Sequence, residues 1–277
     1  MANKRFSGKA IYQPTGKAAE YSPWACNFFT GCSNDCEYCY CKRGLLSHVW
    51  STKPQLKKCF ATIHHAFDVF CKELDKCEDL IGEAGLLFSF TTDPLLPETM
   101  ELTFRAMEEA ISRGINVKIL TKRTDWIDEF VRRTEIQTIN YDNNGRHIAF
   151  GFTLTGCDYK EPGASSNRDR IEAMRKLHKL GFKTFASIEP VIDPIKSIQM
   201  IHQTLGFCDL YKVGLISGKG KGFYEDLHLR VFWGNLIDLT EDGFKIYPKD
   251  SLLDYLGEER SSLEGHFVTA DFNIFNT

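Results

Sequence analysis

The stretch Met174–Glu189, MRKLHKLGFKTFASIE, reads as the end of a helix, a glycine, and an apolar strand that carries Ser187 and Glu189 at its end. A glycine just past a helix accepts the left-handed conformation that a side chain would oppose, so Gly181 marks the junction. The junction recurs. Upstream, a helix with Met100, Phe104, Met107 and Ile111 on one face closes at Gly114 and leads into INVKILTK; downstream, IHQTLGFCDLYKVGLIS repeats the order around Gly206. LLFSFTTD and HIAFGFTLT supply two more apolar strands. Near-continuous apolar strands suit a parallel sheet covered by helices, and alternating βα units predict an α/β barrel or an open doubly wound sheet. Thr91, Thr92 and Asp93, then Thr121 and Lys122, Thr153 and Thr155, Ser187 and Glu189, and Ser217 all fall at carboxyl ends of these strands. Both topologies place their sites along that edge.

Working outward, Leu56, Phe60, Ile63, Phe67, Phe70 and Leu74 recur at steps of three and four and predict a helix burying one stripe, with Cys59 and Cys71 beside it as core thiols and His64 and His65 as ordinary surface or boundary residues. Residues 1–25 show no period and read as an extended lead-in. From Gly218 the βα rhythm fades into GKGKG, a helix from Tyr224 to about Leu239, and an irregular end containing YPKD. The expected division is therefore a lead-in over 1–25, a core over 26–217 and a C-terminal extension over 218–277 packed on that core.

The 277 residues are 43% hydrophobic and 26% charged, a globular composition. Thirty-four basic against thirty-seven acidic side chains give a formal charge of −3, which offers no overall attraction for a phosphate backbone. No apolar run approaches the roughly 18 residues of a membrane span, and MANKRFSGKAIYQ lacks the apolar core of a signal peptide, so the expected location is the cytoplasm, away from membranes. In a reducing compartment ten cysteines are not structural disulfides; clustered ones point to metal or redox chemistry.

Four of the ten lie in CSNDCEYCYC, Cys32 to Cys41. Cys32, Cys36 and Cys39 give C-x3-C-x2-C, a spacing that can turn three thiolates toward one four-iron cubane and leave the fourth iron open for a chelating small molecule. The rival reading is structural zinc held by the same three cysteines with Cys41 or Cys26, in a non-catalytic protein that binds nucleic acid through the Gly-Lys loop at Lys219 and Lys221. Zinc sites more often pair C-x2-C elements with a distant second pair, which this sequence lacks.

With Tyr38 just before the third cysteine, the spacing resembles the radical S-adenosylmethionine (SAM) superfamily. The resemblance implies a partial (β/α)6 TIM-type barrel, a [4Fe-4S] cluster on Cys32, Cys36 and Cys39, and a SAM whose amino and carboxylate groups chelate the open iron. It implies reductive cleavage of SAM to a 5′-deoxyadenosyl radical that abstracts a hydrogen atom from substrate, with the electron delivered by a donor such as flavodoxin or ferredoxin. CEYCY, TTDPLLPET, ILTKR and EPGASSNRDRIEAMRKLHKLGF resemble the branch that includes spore photoproduct lyase, across roughly residues 25–190. By position this implies SAM contacts from Tyr38, Thr92, Lys122 and Thr153, and makes nucleic acid or a nucleotide a candidate substrate. The sequence departs from that branch at Phe90, where spore photoproduct lyase carries its hydrogen-donating cysteine. Tyr40 is a candidate hydrogen relay, Glu189 a candidate ribose ligand or general base with Asp193 near it, and Cys41 reads as a buried structural thiol.

Overall fold

The computed structural model describes residues 5–135, 147–216, 218–220, 222–263 and 265–276. Ser217 and Lys221 lie outside the described residues. Ten strands form among the described residues: β1 Ile11–Tyr12, β2 Trp24–Cys26, β3 Phe29–Thr30, β4 Gln55–Leu56, β5 Leu86–Phe88, β6 Val117–Thr121, β7 Ile148–Thr153, β8 Lys183–Val191, β9 Leu210–Leu215 and β10 Ile246–Pro248. Eight of them make one sheet in the order β1-β2-β5-β6-β7-β8-β9-β10. From β2 to β10 every neighbour is parallel, and only β1 runs antiparallel, against β2. Among the described residues no ladder joins β1 to β10, so the sheet curls into a partial barrel without closing. The α/β class and partial TIM-type barrel expected from the sequence are what is found.

The helices are α1 Ile63–Ile81, α2 Met100–Ser112, α3 Ile127–Glu135, α4 Asn167–Lys179, α5 Pro194–His202, α6 Asp226–Glu241 and α7 Asp250–Leu256. Several of their starts are set by side-chain caps: the Thr62 hydroxyl accepts the His65 N–H at 3.1 Å, Ser166 accepts that of Asp169 at 3.1 Å, and Asp193 accepts those of Ile195 and Lys196. Gly114 and Gly181 follow their helices at φ 73° and 88°, as the junction reading requires. Gly206 is not left-handed; α5 stops four residues before it, so there the glycine is not the stop signal. The apolar stripe also began too early. Leu56 belongs to β4, paired with Phe29, and α1 starts only at Ile63, after Thr62.

Two faces of the sheet are covered differently. Phe150 on β7 stacks on Trp126 at 5.2 Å between ring centroids and meets Phe130 and Phe182, which fixes the helix-facing side. Its neighbours Ala149 and Gly151 therefore face the lumen, where Ala149 packs with Phe185, Leu210 and Ile274. The C-terminal stretch is more regular than the sequence suggests, because YPKD enters β10 and adds a seventh parallel strand beside β9. The last residues, with Phe272, Ile274 and Phe275, fill the lumen from the amino ends of the strands.

Candidate active site

Above the carboxyl ends of β5, β6 and β7 lies the loop that connects β3 to β4 and carries the cysteines. It is a succession of tight turns: the Asp35 N–H reaches the Cys32 carbonyl, Cys39 that of Cys36 at 3.2 Å, and Lys42 that of Cys39 at 3.2 Å. Asp35 adopts φ 46°, and the Lys42 ammonium holds both its carbonyl at 3.0 Å and its carboxylate at 2.5 Å. The chain is thus wound so that Cys32, Cys36 and Cys39 remain free thiols, Cys36 buried and the other two half-buried.

Two clamps hold this loop. The first is Asp93, whose carboxylate accepts the Asn34 side-chain amide at 2.7 Å, the Lys122 N–H at 2.7 Å, the Thr121 hydroxyl at 2.7 Å and the Leu95 N–H at 3.0 Å. It ties the loop to the ends of β5 and β6. The second is Glu161, which accepts the Tyr38 hydroxyl and pairs with Arg170, the side chains of Glu161 and Arg170 both being fully buried. Arg170 also donates to the Thr153 carbonyl at 2.5 Å and the Ser165 carbonyl at 2.9 Å, so the end of β7 and the start of α4 are drawn into the same network. Backbone bonds reinforce it, from Glu37 N–H to the Lys160 carbonyl and from Gly163 N–H to the Asn34 carbonyl.

The three thiols differ in their electrostatics. Burial pushes the Cys32 thiol up to about 12, with Asp93 adding to it, and burial also raises Cys36. Cys39 is lowered to about 6, first by its hydrogen bond with Cys41 and then by the Lys122 and Lys42 charges. Burial alone would depress the Lys122 ammonium; Cys36, Glu161 and Asp93 outweigh it and hold the pKa above its ordinary value, so the side chain stays charged. Its Nζ lies 5.7 Å from the Tyr38 ring centroid. Tyr38, Lys122 and Thr153 are thereby brought into one neighbourhood. Thr92 is half-buried one residue before Asp93, and its carbonyl accepts the Ser89 hydroxyl; no described contact joins it to the other three.

Among the described residues no three His, Cys, Asp or Glu side chains converge on a single ion. A mononuclear zinc site needs that convergence, whereas a cubane takes one thiolate on each of three separate irons. Cys26, the other zinc candidate, is fully buried within β2. The donor set fits the cluster: three free thiols on one wound loop, two lysines beside them, and an Asn34 side-chain carbonyl oxygen that is buried without a partner among the described residues. Cys41 is buried, and its thiol meets the Phe90 carbonyl at 3.6 Å; the Tyr40 hydroxyl donates to the same oxygen.

Toward the open side of the barrel sits a layer the sequence does not announce. The Tyr21 hydroxyl lies 2.6 Å from both Ser187 Oγ and Glu189 Oε2, and Lys249 Nζ pairs with Glu189 at 2.6 Å. Asp193 caps α5, whereas Glu189 lies inside β8 with its carboxylate in the lumen. The Phe90 ring stands edge-on to Tyr21 at 6.1 Å and connects this layer to the cysteine loop. Lys219 is exposed, over the Phe223 ring at 4.9 Å.

The sequence profile of the radical SAM superfamily matches residues 26–208. No curated protein sequence matches the chain. Among solved structures, the chain is similar to a double mutant of spore photoproduct lyase with bound AdoMet and dinucleoside spore photoproduct, at TM-score 0.55 and 17% identity over 80% of this chain and 62% of that one. It is also similar to SuiB of Streptococcus suis bound to S-adenosylmethionine, at TM-score 0.52 and 11% identity over 81% of this chain and 51% of that one. The chain spans between half and two thirds of the length of these neighbours. No helix among the described residues is long and apolar enough to cross a membrane.

Proposed function

Because the chain belongs to the radical SAM superfamily, whose members carry a [4Fe-4S] cluster and bind SAM, we propose that it is an enzyme that cleaves SAM reductively and turns the radical on a nucleotide or nucleic-acid substrate. When bound, the cluster supplies the electron that splits SAM into methionine and a 5′-deoxyadenosyl radical. One observation carries the reading: the C-x3-C-x2-C loop is lashed by Asp93 and Glu161 to the carboxyl edge of an open parallel barrel.

Cys32, Cys36 and Cys39 hold the iron in this reading. Lys122 meets the methionine carboxylate as a point charge, Tyr38 forms the wall beside it, and Thr92 and Thr153 offer groups to the amino and ribose ends. The radical SAM core runs over 26–217, with β1 and the start of β2 from the lead-in and β10 from the C-terminal extension completing its sheet, and a small flavodoxin or ferredoxin supplies the electron. The Tyr21–Glu189–Lys249 layer forms the floor of the substrate space, where a hydroxyl and a buried ion pair can fix a polar substrate and exclude water. The dinucleoside named with the first neighbour supports the substrate class. Phe90 offers no thiol, so hydrogen return by the route of spore photoproduct lyase is not part of the proposal.

Anaerobic reconstitution with iron and sulfide, followed by dithionite and SAM, tests the chemistry. Broad visible absorption and formation of 5′-deoxyadenosine are expected, both lost in Cys36→Ala. An undiminished yield from that variant, or a fold restored by zinc alone, would overturn the proposal. Dinucleotides added to the reaction should accelerate 5′-deoxyadenosine formation; if only peptides do so, the substrate class is wrong.

A further inference from the structure

Beneath the Tyr21 layer, between the bases of β6, β8 and β9 and the last residues of the chain, the lumen widens into a cavity of about 310 Å³. Pro23, Ala270 and Asp271 are exposed on its rim. Its wall is apolar over Phe185, Leu210, Phe272 and Ile274, but two lysines enter it, Lys118 from β6 and Lys212 from β9. Lys212 Nζ donates to the Glu20 carbonyl at 2.6 Å and the Tyr21 carbonyl at 3.1 Å and lies over the Tyr21 and Tyr247 rings. One of its three protons is left over. Lys118 Nζ has no acceptor and no ion pair among the described residues. Burial lowers Lys118 to about 8, and burial together with the Lys118 and Lys249 charges holds Lys212 well below its ordinary value. Among the described residues the lining holds one carboxylate, Asp271, which is exposed and takes the Thr269 hydroxyl.

Lys118 is half-buried and its ammonium faces a mostly apolar cavity without a counter-charge, so an anion brought to it recovers part of the cost of that partial desolvation. The volume is roughly twice the ~150 Å³ that accommodates a benzene ring, which leaves room for a ring or branched chain with a charged head. We propose that this cavity binds a small organic anion, its carboxylate or phosphoryl head between Lys118 and Lys212 and its apolar body against Phe185, Phe272 and Ile274. The site lies at the amino ends of the strands, opposite the cysteine loop, and does not depend on the radical chemistry.

Calorimetric titration of the full chain with phenyl phosphate and benzoate, with benzyl alcohol and inorganic phosphate as comparisons, tests it. Both organic anions should bind, each more tightly than benzyl alcohol, and phenyl phosphate more tightly than inorganic phosphate. Lys118→Met, which keeps the side-chain length and removes the charge, should weaken binding by about tenfold or more. Ile274→Trp, which fills the cavity from the tail, should abolish binding if Lys118→Met does not fold. Equal binding of phenyl phosphate and benzyl alcohol, equal binding of phenyl and inorganic phosphate, or unchanged affinity in either folded variant would overturn the site.

Discussion

Asp93 joins the ends of two strands and the cysteine loop because a carboxylate can accept several hydrogen bonds at once and its four donors come from Asn34, Leu95, Thr121 and Lys122. Asp93→Asn keeps the shape but turns one accepting oxygen into a donor that faces other donors. Unfolding in urea should show a loss of about 2–4 kcal/mol, and reconstituted protein should hold less iron per chain; a midpoint like that of the parent would mean the clamp is dispensable. Lys118 makes the opposite kind of residue-scale statement. Its amine titrates near 8 in the fold against an ordinary 10.5 in the unfolded chain, so between those pH values the unfolded chain binds the extra proton. Stability should therefore rise with pH across that window, by no more than about 1.4 kcal/mol per pH unit, relative to Lys118→Met. Tyr21, Lys212 and Asp271 line the same cavity in both proteins, and because the Lys118 charge depresses Lys212, the difference in urea midpoints measured from pH 7 to 10.5 reports Lys118 together with its effect on Lys212, both in the same direction. A flat difference would mean the amine is hydrated like any surface lysine.

At the scale of elements, the connection from β7 to α4 acts as a clasp on the cysteine loop, and its closeness requires Gly163. A Cβ there would collide with the Ser33 carbonyl oxygen, which belongs to backbone and cannot swing aside. Gly163→Ala should leave the far-UV circular dichroism intact while lowering iron bound per chain several-fold. Gly181→Ala provides the contrast, because its Cβ meets open space and only the left-handed φ of 88° is strained; the expected cost is about 1 kcal/mol of stability with iron content unchanged. Were the two variants to behave alike, the clasp would have no bearing on the cluster. The elements differ in how readily the sequence gives them away. LLFSFTTD and HIAFGFTLT read as strands because burial on both faces leaves an apolar run, and INVKILTK because its apolar residues follow Gly114, whereas β10 has only Ile246–Pro248 and no period to detect. Leu56 and Phe60 fell into the spacing of α1 by coincidence, since β4 pairs Leu56 with Phe29 before Thr62 starts the helix. Likewise the cysteines are legible because their spacing is local. The Tyr38–Glu161 and Tyr21–Glu189 bonds join residues 123 and 168 apart, and no local pattern encodes such a meeting.

For the whole molecule, an unclosed barrel has a lumen that something must fill, and here the chain fills it from two directions. From the carboxyl side come the cysteine loop and the Tyr21–Glu189–Lys249 layer; from the amino side come Phe272, Ile274 and Phe275, packed with Ala149, Phe185 and Leu210. The tail is thus a wall of the barrel, although Phe272 and Ile274 lie more than fifty residues after the last βα unit that the sequence displays. Ile274 is 3% exposed, so Ile274→Ala should remove about 2–4 kcal/mol and raise the binding of an apolar dye as the lumen opens. Leu227 on α6 is 65% exposed, and Leu227→Ala should stay within about 0.5 kcal/mol of the parent. If thermal unfolding finds the two variants equally mild, the tail rests on the barrel without closing it. If Ile274→Ala alone is costly, Phe272 and Ile274 form a wall of the lumen at the amino ends of the strands, and the cavity beside Lys118 owes its apolar side to them.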